Sequence, residues 1–255
     1  MAKNKDLRTV YNRSCTRPIE APKPGAKHSI KPSMLGTPCM RKLFYSYTKV
    51  MEDLPFPMEN SRIANLGTAI GKMLADAYYA EGIGIKFVKP DGTYFMDFDG
   101  VTPDYEFRVA DEDLGVRLGK IDLVCTLDDG LWLGEFKSIH EFGYGELVGP
   151  KPDHMMQGIL YLYLFNRDLA ECKYAHIPEL AGYTKANGMR FVYYNKNKSV
   201  CKEFVVTEGS QVFAAIVRKI TAVKEYAEKK VLPPMTPDYC KTCAWSVKCS
   251  KNQLS

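Results

Sequence analysis

The sequence predicts a mixed α/β domain, and three observations carry that expectation. Two helical patterns come first, an Asp-Gly pair joins two alternating apolar stretches mid-chain, and a helix, a strand pair and a long helix follow. Residues 1–27 include RPIEAPKPGAK and mix Lys, Arg and Pro without apolar periodicity, so they are read as a flexible basic arm ahead of a single domain over 28–255. From Ser33 the pattern turns helical. Ser33 has the hydroxyl to cap a short helix holding Cys39 and Arg41, and RIANLGTAIGKMLADAYYAE, residues 62–81, repeats apolar side chains at three-to-four spacing. Strand signals follow near 91–98, 104–110, 119–127 and 131–138. A connection of more than ten residues containing FGYGELVGPKP comes next, a length that in a compact domain commonly serves function. A helix over 153–168, two strands within 189–206 turning at Asn195 to Asn197, a helix near 209–230 and a cysteine-rich tail complete the chain.

With 45% hydrophobic and 25% charged residues, the 255-residue chain has the composition of a globular protein with one large core. No apolar run approaches the ~20 residues of a membrane span, and MAKNKDLRTVYNRSC lacks the apolar stretch of a secretory signal, so the expected location is intracellular, in the cytoplasm, with no membrane partner. In a reducing compartment the eight cysteines are metal ligands or buried apolar residues rather than a disulfide framework. A formal charge of +5 permits an acidic partner such as nucleic acid without demanding one.

The most informative stretch is GKIDLVCTLDDGLWLGEFKS, residues 119–138. Asp129-Gly130 favours the positive backbone angles of a two-residue type I′ hairpin turn. Asp128 then faces Leu131, and counting back sets Asp122 opposite Lys137 with Glu135 on the diagonal. All three charges share one face, while Ile121, Leu123, Trp132 and Phe136 share the other. Two carboxylates beside an ammonium suit metal-assisted phosphodiester cleavage. The acids hold Mg²⁺ or Mn²⁺, the Phe136 carbonyl adds a ligand, and the lysine orients the attacking water or stabilises developing charge. The plainer reading is an ion pair on an exposed hairpin. Gln157 and Tyr161, four apart on the next helix, share a face and offer an amide and a phenol to a phosphate or base. Their plainer reading is an amphipathic core helix.

Asp122 in GKIDLV, then Glu135-Phe136-Lys137, then Gln157 to Tyr161, resembles in order and spacing the D…ExK…QxxxY series of RecB-type nucleases in the PD-(D/E)XK superfamily. The resemblance spans Ser33 onward and implies a restriction-endonuclease-like mixed β-sheet core flanked by helices. It further implies that Asp122 and Glu135 bind metal, that Lys137 is catalytic, and that Gln157 and Tyr161 contact DNA near the active site. Many members of that family carry a metal-binding His in the first long helix; here Gly71 stands at that place in LGTAIGKML. His28, His140 and His154 are assigned no role.

PDYCKTCAWSVKC places Cys240, Cys243 and Cys249 in a C-x2-C-x5-C array, and Cys39 can supply a fourth thiolate. Such a set suits tetrahedral Zn²⁺ or an iron–sulfur cluster, and the spacing alone does not decide between them. One cysteine some two hundred positions ahead of three others resembles the iron–sulfur clasp of the CRISPR-associated RecB-like exonucleases and the AddB-type helicase-nucleases. That resemblance implies a structural [4Fe–4S] cluster joining the N- and C-terminal segments. Cys15, Cys125, Cys172 and Cys201 are read as core or incidental residues.

Basic and aromatic residues alternate in CMRKLFYSYTK, and Arg218, Lys219, Lys224, Lys229 and Lys230 crowd the last long helix. Such mixtures can follow a phosphate backbone and stack bases, or can simply be a solvated face over core aromatics. Residues 139–152, leaving the catalytic strand directly after Lys137, are the better candidate for gating DNA. The function expected is that of a metal-dependent DNA exonuclease acting on single strands or ends in recombination, replication or CRISPR spacer processing. Without a Walker phosphate loop, strand opening falls to a helicase partner or to pre-opened DNA, and an annealing or CRISPR adaptation protein is a further expected partner. The competing expectation, drawn from Gly71, is a non-catalytic DNA-binding scaffold. The complete Asp-Glu-Lys set speaks for the enzyme.

Overall fold

The computed structural model describes residues 11, 15–17, 19, 21–23, 25–97, 99–127, 130–236, 240 and 243–254. In chain order, a 3₁₀ turn at Pro32–Met34 precedes α1 (Met40–Thr48) and α2 (Met58–Ala80). Six strands follow: β1 (Gly84–Ile85), β2 (Phe95–Met96), β3 (Pro103–Asp104), β4 (Phe107–Asp111), β5 (Val116–Ile121) and β6 (Leu123–Leu127). Then come β7 (Gly130–Ile139), α3 (Glu141–Gly145), α4 (Pro152–Ala170), β8 (Met189–Asn195), β9 (Val200–Val206), α5 (Ser210–Glu228) and α6 (Ser246–Ser250). Two compact units result, a larger one from Lys31–Gly36 and Ile70–Ile220 and a smaller one from Met1–Ile30, Thr37–Ala69 and Thr221–Ser255.

The larger unit is mixed α/β. Its five-stranded sheet runs β1-β6-β7-β8-β9, with β7 and β8 parallel and the other pairs antiparallel. Side chains alternate across the sheet, so Leu123, Cys125, Trp132, Phe136 and Val192 form one apolar face, against which Leu74, Ala75, Tyr78 and Tyr79 of α2 pack. The opposite face carries Met189 and Phe191 and is covered by α4, whose Gly158 comes so close that a Cβ there would lie 2.5 Å from Phe191 Cζ. Helices therefore flank a mixed sheet on both sides.

The hairpin forms in a different register from the one expected. Leu127 pairs with Gly130 and Leu123 with Gly134, which moves the loop to residues 128–129, outside the described residues, and makes Gly130 the first residue of β7. Continuing that register aligns Asp122 with Glu135 rather than with Lys137. The hydrophobic pattern cannot tell the two registers apart. A one-residue slip exchanges the faces of a strand, but a two-residue slip restores them.

Other boundaries also moved. Ser33 lies inside the 3₁₀ turn begun by Pro32, and the helix carrying Arg41 starts at Met40 with Cys39 at its N-cap position, so Ser33 caps nothing there. The strand expected near 91–98 shrinks to β2 because aspartates turn the chain on either side of it, and β3 separates from β4 where the Asp104 carboxylate accepts the Glu106 amide at 3.1 Å. Asp91 accepts from the Thr93 amide at 2.9 Å, and Asp99 from Val101 and Thr102 at 2.9 and 2.8 Å. The second hairpin reverses over residues 196–199, with Asn195 still in β8 and its side chain accepting the Asn197 and Lys198 amides.

In the smaller unit, α1 buries Leu43, Phe44, Tyr45 and Tyr47. Tyr45 stacks on Trp245 at 6.2 Å and donates to the Gln253 carbonyl, while the Trp245 indole donates to Val50. Arg41 reaches the carbonyls of Pro233 and Cys249 and the Asn252 side chain, and Lys248 pairs with Asp53 at 2.7 Å. Among the described residues no helix is long and apolar enough to cross a membrane.

Candidate active site

Asp122 occupies the one-residue break between β5 and β6. The β6–β7 ladder ends at Leu123 and Gly134, so the amide of Phe136 has no β6 backbone to bond, and the Asp122 carboxylate accepts it instead at 2.8 Å. Glu135 and Lys137, two apart on β7, share a face. Lys137 Nζ lies 2.5 Å from Glu135 Oε1 and donates to Gln157 Oε1 at 3.3 Å; Gln157 Nε2 in turn donates to the Tyr161 hydroxyl at 3.1 Å. Five residues expected from the sequence are thus brought together on the α4 side of the sheet: Asp122, Glu135 and Lys137 from the hairpin, Gln157 and Tyr161 from one stripe of α4.

Glu135 and Tyr161 are buried and Asp122, Lys137 and Gln157 partly so, and desolvation governs the electrostatics of the patch. Desolvation, then the Glu135 charge, raise Asp122 to about 7 against the pull of Lys137 and the Phe136 amide. Burial also raises Glu135, with Lys137 opposing. Lys137 loses solvation as well, yet the two carboxylates outweigh that loss and hold its ammonium above the usual range. Glu135 is 1% exposed, and its Oε2 has no hydrogen-bond partner. A buried, unpartnered carboxylate oxygen beside a second carboxylate fits a hard divalent cation, and the donor set of Asp122, Glu135 and the Phe136 carbonyl is the all-oxygen kind that Mg²⁺ and Mn²⁺ take. The bland alternative, an ion pair on an exposed hairpin, does not describe these side chains.

Several neighbours have no signature in the sequence. Tyr193 sits across from Lys137 in the parallel β7–β8 ladder; its hydroxyl accepts the Lys151 amide at 2.9 Å and meets His154 Nδ1 at 2.8 Å. His154 is lowered to about 4 by burial and then by the Lys137 charge, so this imidazole is neutral. Lys202, across from Tyr193 on β9, bonds the carbonyls of Tyr144 and Leu147 at 2.9 and 3.4 Å. The segment expected as a long open loop therefore contains α3 and is tied to the sheet at its middle and at its end. Glu106 adjoins the patch from the β4–β5 side. Burial raises it to about 7, Lys120 opposes, and the Asp122 charge adds to the rise. Gly71 lies on α2, across the sheet from these side chains, where a Cβ would lie 4.0 Å from the Phe136 Cβ with nothing nearer.

In the smaller unit Cys39, Cys243 and Cys249 are buried and Cys240 is partly buried. Burial pushes the Cys243 thiol up, and the charges of Cys39 and Cys249 add to the effect, so these three sulfurs share a neighbourhood. Arg41 Nη1 lies 3.7 Å from Cys249 Sγ. Cys15 and Cys125 are buried, and Cys172 and Cys201 exposed. Among the described residues no three His, Cys, Asp or Glu side chains are gathered tightly enough, as they stand, to hold a metal ion. Of the basic residues, Lys219 donates to the Leu35 carbonyl at 2.6 Å and Lys229 pairs with Glu225 at 3.4 Å.

No family model matches the chain, and no curated protein matches it in sequence. A solved structure, the crystal structure of SSO0001, is similar over 97% of this chain and 98% of that one, at 15% identity and a TM-score of 0.48.

Proposed function

We propose that this protein is a metal-dependent deoxyribonuclease with a RecB-like core, an exonuclease that hydrolyses phosphodiester bonds at DNA ends or in single strands. The observation that carries the reading is the connected row Glu135, Lys137, Gln157 and Tyr161 beside Asp122, with a buried carboxylate oxygen left without a partner. Asp122, Glu135 and the Phe136 carbonyl would hold Mg²⁺ or Mn²⁺, which supplies Lewis acidity and lowers the pKa of water. Lys137 keeps its proton on Nζ under the influence of both carboxylates, and so presents a fixed positive charge to a phosphate oxygen. Gln157 and Tyr161 orient each other and address the phosphate or base next to the scissile bond. Strand separation is left to a helicase or annealing partner, a CRISPR adaptation protein, or DNA that is already open.

The proposal includes a [4Fe–4S] clasp on Cys39, Cys240, Cys243 and Cys249, with Zn²⁺ as the alternative. It is supported by the soft donor set and by the shared neighbourhood of three buried thiols. A second reading, a nucleic-acid-binding scaffold without catalysis, draws on Gly71, which offers no side chain beside Phe136. End-labelled single- and double-stranded DNA, incubated with Mg²⁺ or Mn²⁺ and with a chelator, separates the two. Shortening from the ends that the chelator stops is expected, whereas DNA bound but uncut under every metal condition replaces the enzyme with the scaffold.

A further inference from the structure

The β4–β5 ladder brings a third carboxylate to the patch. Phe107 pairs with Ile121, and the next position in that register sets Glu106 across from Asp122 on the same face. The proximity is electrostatic as well as topological, because Glu106 feels the charge of Asp122 and Glu135 feels that of Glu106. Glu135 also carries the buried oxygen that no donor meets. The two lysines divide the acids: Lys137 takes Glu135, and Lys120 takes Glu106 Oε2 at 2.9 Å. The second pairing is dispensable to its lysine. Lys120 Nζ also lies 2.6 Å from Asp104, which is itself 2.9 Å from Arg108, so Lys120 keeps a buried partner if Glu106 leaves.

We infer that Glu106 is a third carboxylate ligand of the divalent cation proposed at Asp122 and Glu135, held on Lys120 until the ion arrives. This rests on the functional reading above and adds to it a residue outside the D…ExK…QxxxY series. Three carboxylates brought together repel one another, and parking one on a lysine that has a second partner relieves that repulsion without removing the ligand. The turn of Glu106 away from Lys120 is part of the inference, since the acids are not gathered tightly enough for an ion as they stand.

The test uses the full chain, without DNA, and Mn²⁺ alone as the probe. Free Mn²⁺ is counted by electron paramagnetic resonance, and water-proton relaxation reports how many waters the bound ion retains. Glu106→Gln is expected to weaken Mn²⁺ binding about tenfold, as loss of one charged ligand does, and to raise the relaxation enhancement by the water that replaces it. Asp104→Asn removes the same charge from the other partner of Lys120 and is expected to leave the water count unchanged. If Glu106→Gln weakens binding no more than Asp104→Asn and leaves the relaxation enhancement unchanged, Glu106 is only an ion-pair partner of Lys120 and the inference is overturned. Asp122→Asn keeps that failure distinct: if it too leaves Mn²⁺ binding unchanged, the metal site itself is wrong. Should Glu106→Gln not fold, Glu106→Asp, charged but one methylene short, is read by the same two measurements.

Discussion

Lys137 stands between two carboxylates that burial disfavours, and its removal has a different consequence from removal of either acid. Glu135→Gln takes out one buried charge and keeps the shape, so cleavage is expected to stop while the melting temperature holds or rises. Lys137→Ala should stop cleavage as well, but it leaves two buried acids without their cation and is expected to cost about 3 kcal/mol of stability; parallel urea melts of the two variants give the comparison. His154 makes a pH prediction. Its folded pKa, about 4, lies below its ordinary 6.5, so the folded protein favours the neutral ring. Its contribution to stability is therefore complete above pH 6.5 and lost as the pH falls through 4, on the order of 2–3 kcal/mol over that window. His154→Gln should flatten that part of the stability curve, and an unchanged slope between pH 6.5 and 4 would show that the ring is solvated.

Where α4 meets the sheet, the helix can settle only because position 158 has no side chain. Gly158→Ala places a methyl against the Phe191 ring, so the helix must lift or the ring must turn, at an expected cost of about 1–3 kcal/mol. Gln157 and Tyr161 flank that contact, so cleavage should fall with the melting temperature, and a variant as stable and active as the parent would show that the ring yields freely. The elements were legible in the sequence to the extent that periodicity fixes them. The apolar faces of β6 and β7 and the stripe through Gln157 and Tyr161 follow from spacing alone, and with them the grouping of Asp122, Glu135 and Lys137. The hairpin register was not legible, because shifting it by two leaves every face unchanged. Nor was Glu106, whose place beside Asp122 depends on the pairing of a second hairpin, nor Tyr193, which reaches Lys137 through a parallel pairing whose register no local turn sets. The short strands β2 and β3 were hidden because their boundaries depend on the Asp91 and Asp99 turns rather than on apolar pattern.

At the scale of the whole molecule, the chain departs from the smaller unit, builds the larger one and returns. Cys39 lies on the outgoing side, and Cys240, Cys243 and Cys249 on the returning side, so a metal held by all four would close a loop of some two hundred residues and its binding would count as folding free energy. Anaerobically purified protein is expected to be brown, with a broad absorption near ~400 nm from thiolate-bound iron; colourless protein containing zinc would select the other metal. Cys243→Ser should lose the metal and melt earlier, yet keep residual cleavage. If metal content and melting temperature are both unchanged, these cysteines do not form a clasp.

The same return sets a schedule for synthesis. Asp53 and Lys248, which pair across the smaller unit, are 195 residues apart, and Arg41 is 211 from Asn252. At ~5–20 residues per second a ribosome makes Asp53 roughly 10–40 s before Lys248. For that interval α1 has neither Trp245 to stack on Tyr45 nor the 243–254 segment to satisfy Arg41. The larger unit can be complete by residue 220, whereas α1 still waits for the partners it takes from 243–254. Yield should therefore depend on translation speed and on chaperones that shield α1, and hardly at all on how firmly the sheet folds.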